Sequence, residues 1–399
     1  MLIFGLSYLV FSKITSPLVS NLNSPLTSQP STPTSAPATK TGILTFSGPK
    51  IVPCPINGEL HTQAEADIWN TRRPLMVMIE NHADARPQSG LSNADIVYEA
   101  VAEGGITRFM GVFYCNALRG SSNKYDVGPV RSARTYFLDL ASEYSDYPLY
   151  THVGGANCSN ATPGGPCTTN RKALALEQID SYGWTNKGTW GDMNEFSLSY
   201  KICRREPDRT GTTKATEHTM YCSTQQLWNL ASDRGLTNTT QAKGTAWNSN
   251  FTSWSFKTPD QKVGGGPGTI SFDFWPGYKD YSVSWKYDPA TNMYVRYNGG
   301  QPHIDFNTGS PLTTKNVVIE YTKESRSIDE HGHNLYAVIG TGKAVLFQNG
   351  APAQEITWSK PNRTARTIFR EKNGKEVNFV PGQVWVEILP LNNQITYEG

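Results

Sequence analysis

The sequence predicts an α+β or α/β N-terminal domain followed by a β-rich C-terminal domain. Three observations carry this. Between residues 46 and 235, short apolar runs alternate with stretches of helical periodicity. Residues 236–269 are rich in Asn, Thr, Gly and Gln and end in VGGGPG, which reads as a linker or long loop. From 270 to 399, turn signals crowd together and the runs between them are strand-like.

The 399 residues leave room for two or three domains with cores of their own. Residues 1–14 are expected to be a membrane anchor or signal segment. Within them LIFGLSYLVF (2–11) is an apolar run broken by Gly5 and Ser7, shorter than the roughly 20 residues of a full span. Three readings stay open: a signal-anchor helix missing its first residues, the apolar region of a cleaved signal peptide, and a buried N-terminal strand. Residues 15–45 form a Ser/Thr/Pro-rich tether that buries little apolar area.

In the first domain, 74–79, 95–102 and 106–114 read as strands, with Glu103-Gly104-Gly105 as a hairpin turn. A helix is predicted over 131–144, because Tyr136, Phe137, Leu140 and Tyr144 fall on one side. Residues 148–153 make a further strand, and 172–181 and 223–234 look helical. In the second domain, strands are expected at 281–287, 293–297, 316–322, 335–340, 343–348, 366–370 and 383–389. The Asn349-Gly350 and Asn373-Gly374 turns favour hairpins. A small, bent sheet or barrel is the expected result.

A net charge of +2 argues against a nucleic-acid partner. Low charge (18%) with many Ser, Thr, Asn and Gly suits an extracytoplasmic protein on the outer face of the cell membrane, anchored or secreted. Six cysteines fit an oxidising compartment. Cys158 with Cys167 and Cys203 with Cys222 each bracket a polar loop, which leaves Cys54 with Cys115, although six cysteines allow 15 connectivities.

Residues 98–134 concentrate the candidate chemistry. Glu99, Glu103 and Arg108 sit among strand-like apolar residues, and Arg131, Ser132 and Arg134 open the predicted helix. A helix start and two guanidiniums can hold an anion. Equally, the arginines can pair with Glu99, Glu103 or Asp139 and brace the sheet. Glu103 and Arg108 flank a tight turn and should be neighbours. A carboxylate beside Arg stays ionised, whereas two close carboxylates can share a proton, as glycosidases exploit. The geometric expectation is that Glu99, Glu103, Arg108, Arg131 and Arg134 converge.

Asn81 and His152 lie at strand ends, where α/β sites form, and Arg86 follows Asn81 in the next loop. His152 is the best imidazole candidate and His218 a weaker one. His331 with His333 lacks a third metal ligand, and His303 with Asp305 reads as a solvated strand face. No nucleophile elbow, Walker loop, GxGxxG, HExxH or EF-hand loop is present. No metal site and no cofactor is expected.

RPLMVMIEN (73–81), ARPQSGLSNADIVYEAVAEGGITRFM (85–110) and VGPVRSAR (127–134) resemble the YerB-like family of predicted bacterial lipoproteins, classed as domains of unknown function. NMYVRYNGGQPHID (292–305), KNVVIEY (315–321), GTGKAVLFQNG (340–350) and PGQVWVEILP (381–390) are similar to its C-terminal domain. The resemblance covers about 70–399. It implies an envelope-associated, two-domain protein and supplies no reaction. The chain departs from it in lacking a lipid-accepting cysteine near the start, which favours a protein-helix anchor. Three functional readings follow. The first is a membrane-tethered protein that binds a polar or anionic envelope component, polymer or protein, through Asn81, Arg86, Glu103, Arg108, Arg131, Ser132, Arg134 and His152. The second is a wall-directed hydrolase or transferase using Glu103 or Glu99 with His152. The third is a structural module that docks a partner on its β-rich domain.

Overall fold

A computed structural model describes residues 46–398, apart from 121–124, 159–165, 241 and 259–261. The anchor and tether expected within 1–45 lie outside the described residues. Among those described, no helix is long and apolar enough to cross a membrane.

The core is a ten-stranded sheet built from both halves of the sequence. Its order is Ile368–Glu371, Gln354–Lys360, Gly340–Gln348, Asn316–Thr322, Val384–Pro390, Ile96–Glu103, Ile106–Phe113, Leu75–Glu80, Leu149–His152 and Asp192–Asn194. The halves join where Val384–Pro390 runs parallel to Ile96–Glu103, pairing Val384 with Ile96 and Glu387 with Glu99. All seven residues of Val384–Pro390 are buried. A strand covered on both faces needs neighbours on both sides, so this one sits mid-sheet and not at a barrel's edge. The C-terminal strands therefore divide between this sheet and a six-stranded one containing Thr269–Phe272, Val283–Asp288, Met293–Asn298 and Ile395–Glu398. Of the small bent sheet or barrel expected, the described strands give an open sheet of six, with the remaining long strands joining the larger sheet.

The described part of 236–269 is mostly irregular but holds a short strand, Ser255–Phe256, paired in parallel with Asn378–Phe379, and buried anchors. Trp247 packs edge-on to Tyr114, and Trp254 Nε1 donates to the Thr367 carbonyl. Disulfides join Cys54 to Cys115, Cys158 to Cys167 and Cys203 to Cys222. The last pair are direct cross-strand neighbours.

Gly104 and Gly105 close the first hairpin with φ of 56° and 78°, the positive pair that a tight hairpin turn demands. The predicted helix over 131–144 is shorter, Thr135–Ala141. Its expected first turn is used elsewhere. Val130 and Arg131 donate to the carbonyls of Met220 and Met78, Ala133 donates to Gly154, and the Arg131 carbonyl accepts from Val153. Chain stitched between two neighbours in this way cannot also turn helically.

One buried acid gives the fold a measurable pH dependence. Burial, reinforced by nearby Glu143 and opposed by Lys360, pushes the Glu320 carboxyl up to about 8. A folded pKa above the unfolded value of about 4.3 means stability present at low pH and lost as pH rises towards 8. Between pH 5 and 8 the wild type is expected to lose about 1.4 kcal/mol per unit more than Glu320→Gln. Urea unfolding across that range checks it, and parallel curves would refute it.

Candidate functional site

Side chains alternate across a strand, and this separates the expected cluster. Arg108 pairs in register with Ala100 on one side and Glu80 on the other, while Glu99 faces Phe109. Glu99 and Arg108 thus point to opposite faces of the sheet. A bulge between Val101 and Glu103 shifts the register by one, and this brings Glu103 onto the Arg108 face.

On that face Glu103 lies between two guanidiniums. Its Oε1 accepts from Arg108 Nη2 at 2.7 Å, and its Oε2 from Arg134 Nη2 at 2.5 Å and Nε at 3.1 Å. Arg108 Nη1 also donates to the Ser132 carbonyl at 3.1 Å. Burial would raise the Glu103 pKa, but Arg108 and Arg134 outweigh it and hold the carboxyl well below the usual range. A group so held does not serve as a general acid. Arg131 is not part of this trio. It is not on the helix, and its Nε pairs with Glu80 Oε1 at 3.1 Å, beside His218, whose Nδ1 is 2.9 Å from Glu80 Oε2.

Beside the trio lies a recess of about 220 Å³ lined by Ser132, Arg134, Gly155, Ala156, Asn157, Thr169, His331 and His333. His331 accompanies Thr168, its Nε2 2.9 Å from the hydroxyl, and His333 Nδ1 is 2.8 Å from Asp329. The sequence pointed to Ser132 and Arg134 here. Asn157, Thr169 and His331 carry no local signal of their position.

The opposite face holds a sealed polar network. Glu99 accepts from Thr107 and Asn81 and pairs with Arg296 at 2.5 Å. Arg296 also binds Glu387 Oε1 at 2.6 Å. The Asn81 side-chain oxygen accepts from Arg86, Gln88 and Asn298. His303 and Asp305 are buried here, not solvated. Burial, then Arg296 and Arg86, depress the His303 pKa far below normal, so the neutral ring accepts from Arg296 Nε at Nδ1 and donates from Nε2 to Gln88. Asp305 accepts from the backbone of Gly90, Ser92 and Asn307.

His152 is fully buried, with Nε2 2.7 Å from Asp192 and Nδ1 2.6 Å from the Gly154 carbonyl. Both ring nitrogens are therefore committed to internal partners. Cys54, Asp95 and Cys115 cluster, but the sulfurs are bonded to each other and Asp95 accepts from Asn57 and three backbone amides.

Fold and site together define a two-part protein, mixed α/β then β-rich, in which Glu99, Glu103, Arg108, Arg131 and Arg134 are all engaged with internal partners. The chain belongs to the DUF3048 family of proteins of unknown function: the N-terminal domain model matches residues 58–237 and the C-terminal one 271–386. It is 30% identical over 319 residues to "Putative lipoprotein YerB" of Bacillus subtilis (strain 168), covering 80% of this chain and 82% of that one. The crystal structure of the Bacillus subtilis YerB protein superposes with a TM-score of 0.64 at 28% identity, covering 87% of this chain and all of that one.

Proposed function

We propose that this is a membrane-tethered, extracytoplasmic binding protein whose ligand is an anionic envelope component held in the recess beside Arg134. The observation that carries the reading is the charge balance there. Two guanidiniums, Arg108 and Arg134, share the single carboxylate of Glu103, and Arg134 lines a recess whose wall also carries Ser132, Asn157, Thr169, His331 and the Asp329-paired His333. Such a surplus of fixed donors suits a phosphate or carboxylate. The tether and location draw support from the apolar run at 2–11, the three disulfides and the name of the Bacillus subtilis relative.

The hydrolase reading has less behind it. Glu99 is fully buried against Arg296, Glu103 is held ionised by its arginines, and His152 is enclosed. Titration of the full chain with polyglycerol phosphate tests the binding reading, with neutral dextran as control. Asn157→Asp combined with His331→Asp adds negative charge at the rim without touching the Glu103 trio. Binding is expected to weaken about tenfold or more, equivalent to at least 1.4 kcal/mol, with the unfolding midpoint unchanged. A folded double variant that binds as tightly as wild type would overturn the reading.

A further inference from the structure

We infer that His82, Asp84 and His218 form a binding site for a borderline divalent metal ion of the zinc class. The three residues each bring one ligand atom, all within 4.8 Å of one another. His82 and Asp84 follow the Leu75–Glu80 strand, and His218 precedes Met220–Ser223. The two imidazoles are stacked, centroids 4.7 Å apart and planes 13° from parallel, so the partly exposed His82 ring must rotate out of the stack to aim its in-plane lone pair at an ion that His218 holds. His82 Nδ1 is 3.7 Å from Asp84 Oδ2. Two ligands of one tetrahedral zinc ion stand about 3.4 Å apart, given bonds near 2.1 Å, so a small torsion of exposed Asp84 closes that pair. Taking the ion at Nδ1 would replace the bond which that atom now accepts from the Asp84 amide.

The second shell supplies an independent indication. A metal-ligating histidine usually gives its other ring nitrogen to a carboxylate, which fixes the ring and raises its basicity. His218 does this: its Nδ1 is 2.9 Å from Glu80 Oε2, and Glu80 is itself held by Arg131. The Nε2 lone pair is thereby left for a ligand. Around the two imidazoles stand Glu80, Asp84 and Glu217, with Arg131 on Glu80 and Arg205 on the Thr216 carbonyl. Three protein ligands with one side open to solvent leave a fourth position for water. Two nitrogens and one oxygen favour zinc-class ions over calcium or magnesium.

The test is equilibrium binding of Zn²⁺ to the tag-free full chain in detergent, with Ca²⁺ and Mg²⁺ as hard-cation controls. One ion per chain is expected, weakened tenfold or more in His82→Ala and in Asp84→Asn, while neither hard cation competes. His82 and Asp84 are solvent-facing, so these variants should fold whatever happens in His218→Ala, and circular dichroism verifies it. Absence of zinc binding to the wild type, or binding that survives both variants undiminished, overturns the proposal.

Discussion

Replacing Arg296 with methionine is expected to destabilise the chain by about 3–5 kcal/mol, the cost of stranding a buried partner charge. Arg296 comes from the six-stranded sheet and is fully buried. It reaches Glu99 at 2.5 Å and Glu387 at 2.6 Å, adjacent residues on the two central strands of the other sheet. Its guanidinium also lies 4.7 Å from the ring centre of Trp385 and 5.2 Å from that of Trp285. Burial, together with the neighbouring Glu99 and against the pull of Arg296, raises the Glu387 pKa far above normal. The two carboxyls, Glu99 and Glu387, thus share the single buried cation of Arg296. Arg296→Met removes that cation and leaves Glu99 buried on the hydrogen bonds from Thr107 and Asn81. Adding Glu99→Gln and Glu387→Gln removes both carboxyls and should recover part of the loss. Urea midpoints of the single and triple variants measure both effects. A single variant as stable as wild type would show that the triad does not brace the two sheets.

The same triad shows where local reading of the sequence stops. The first hairpin was legible because two adjacent glycines sit between two apolar runs, and that pattern needs no distant information. Of the five charged residues singled out in 98–134, Glu103, Arg108 and Arg134 meet, whereas Glu99 and Arg131 do not join them. The cause is a strict alternation interrupted by a single bulge residue, which apolar periodicity does not reveal. Arg296 is 197 residues from Glu99, and its partnership depends on Val384–Pro390 inserting beside Ile96–Glu103. That strand was recognisable from its apolar run, but its neighbour was not, since any buried strand satisfies the same pattern. Likewise, the helix at 131–144 had the right apolar face but the wrong start, because tertiary hydrogen bonds claimed residues 130–133. His82 and His218 show the same limit: each looks ordinary alone, and only the fold stacks them.

Glu143→Ala should be about as costly as the loss of Arg296, for the opposite charge reason. Glu143 is fully buried just after the Thr135–Ala141 helix. It stands 3.2 Å from Lys360 and 2.8 Å from Arg366, and accepts from the Thr367 hydroxyl. Lys360 also donates to the carbonyls of Arg363 and Ala365, and the Arg366 guanidinium lies 3.8 Å from the Trp254 ring centre. Deleting the carboxylate leaves two buried cations without their shared anion, at a cost of about 3–5 kcal/mol at pH 7. The pH dependence separates charge from packing. Burial already depresses the Lys360 pKa, with Glu143 opposing it, so without Glu143 it falls further. A lysine with a depressed folded pKa binds fewer protons folded than unfolded, and stability then rises with pH towards the unfolded value near 10.4. The gap between Glu143→Ala and wild type should therefore narrow from pH 7 to pH 9.5 in urea unfolding. A gap of constant size would assign the loss to packing and hydrogen bonds, and remove the Lys360 charge from the account.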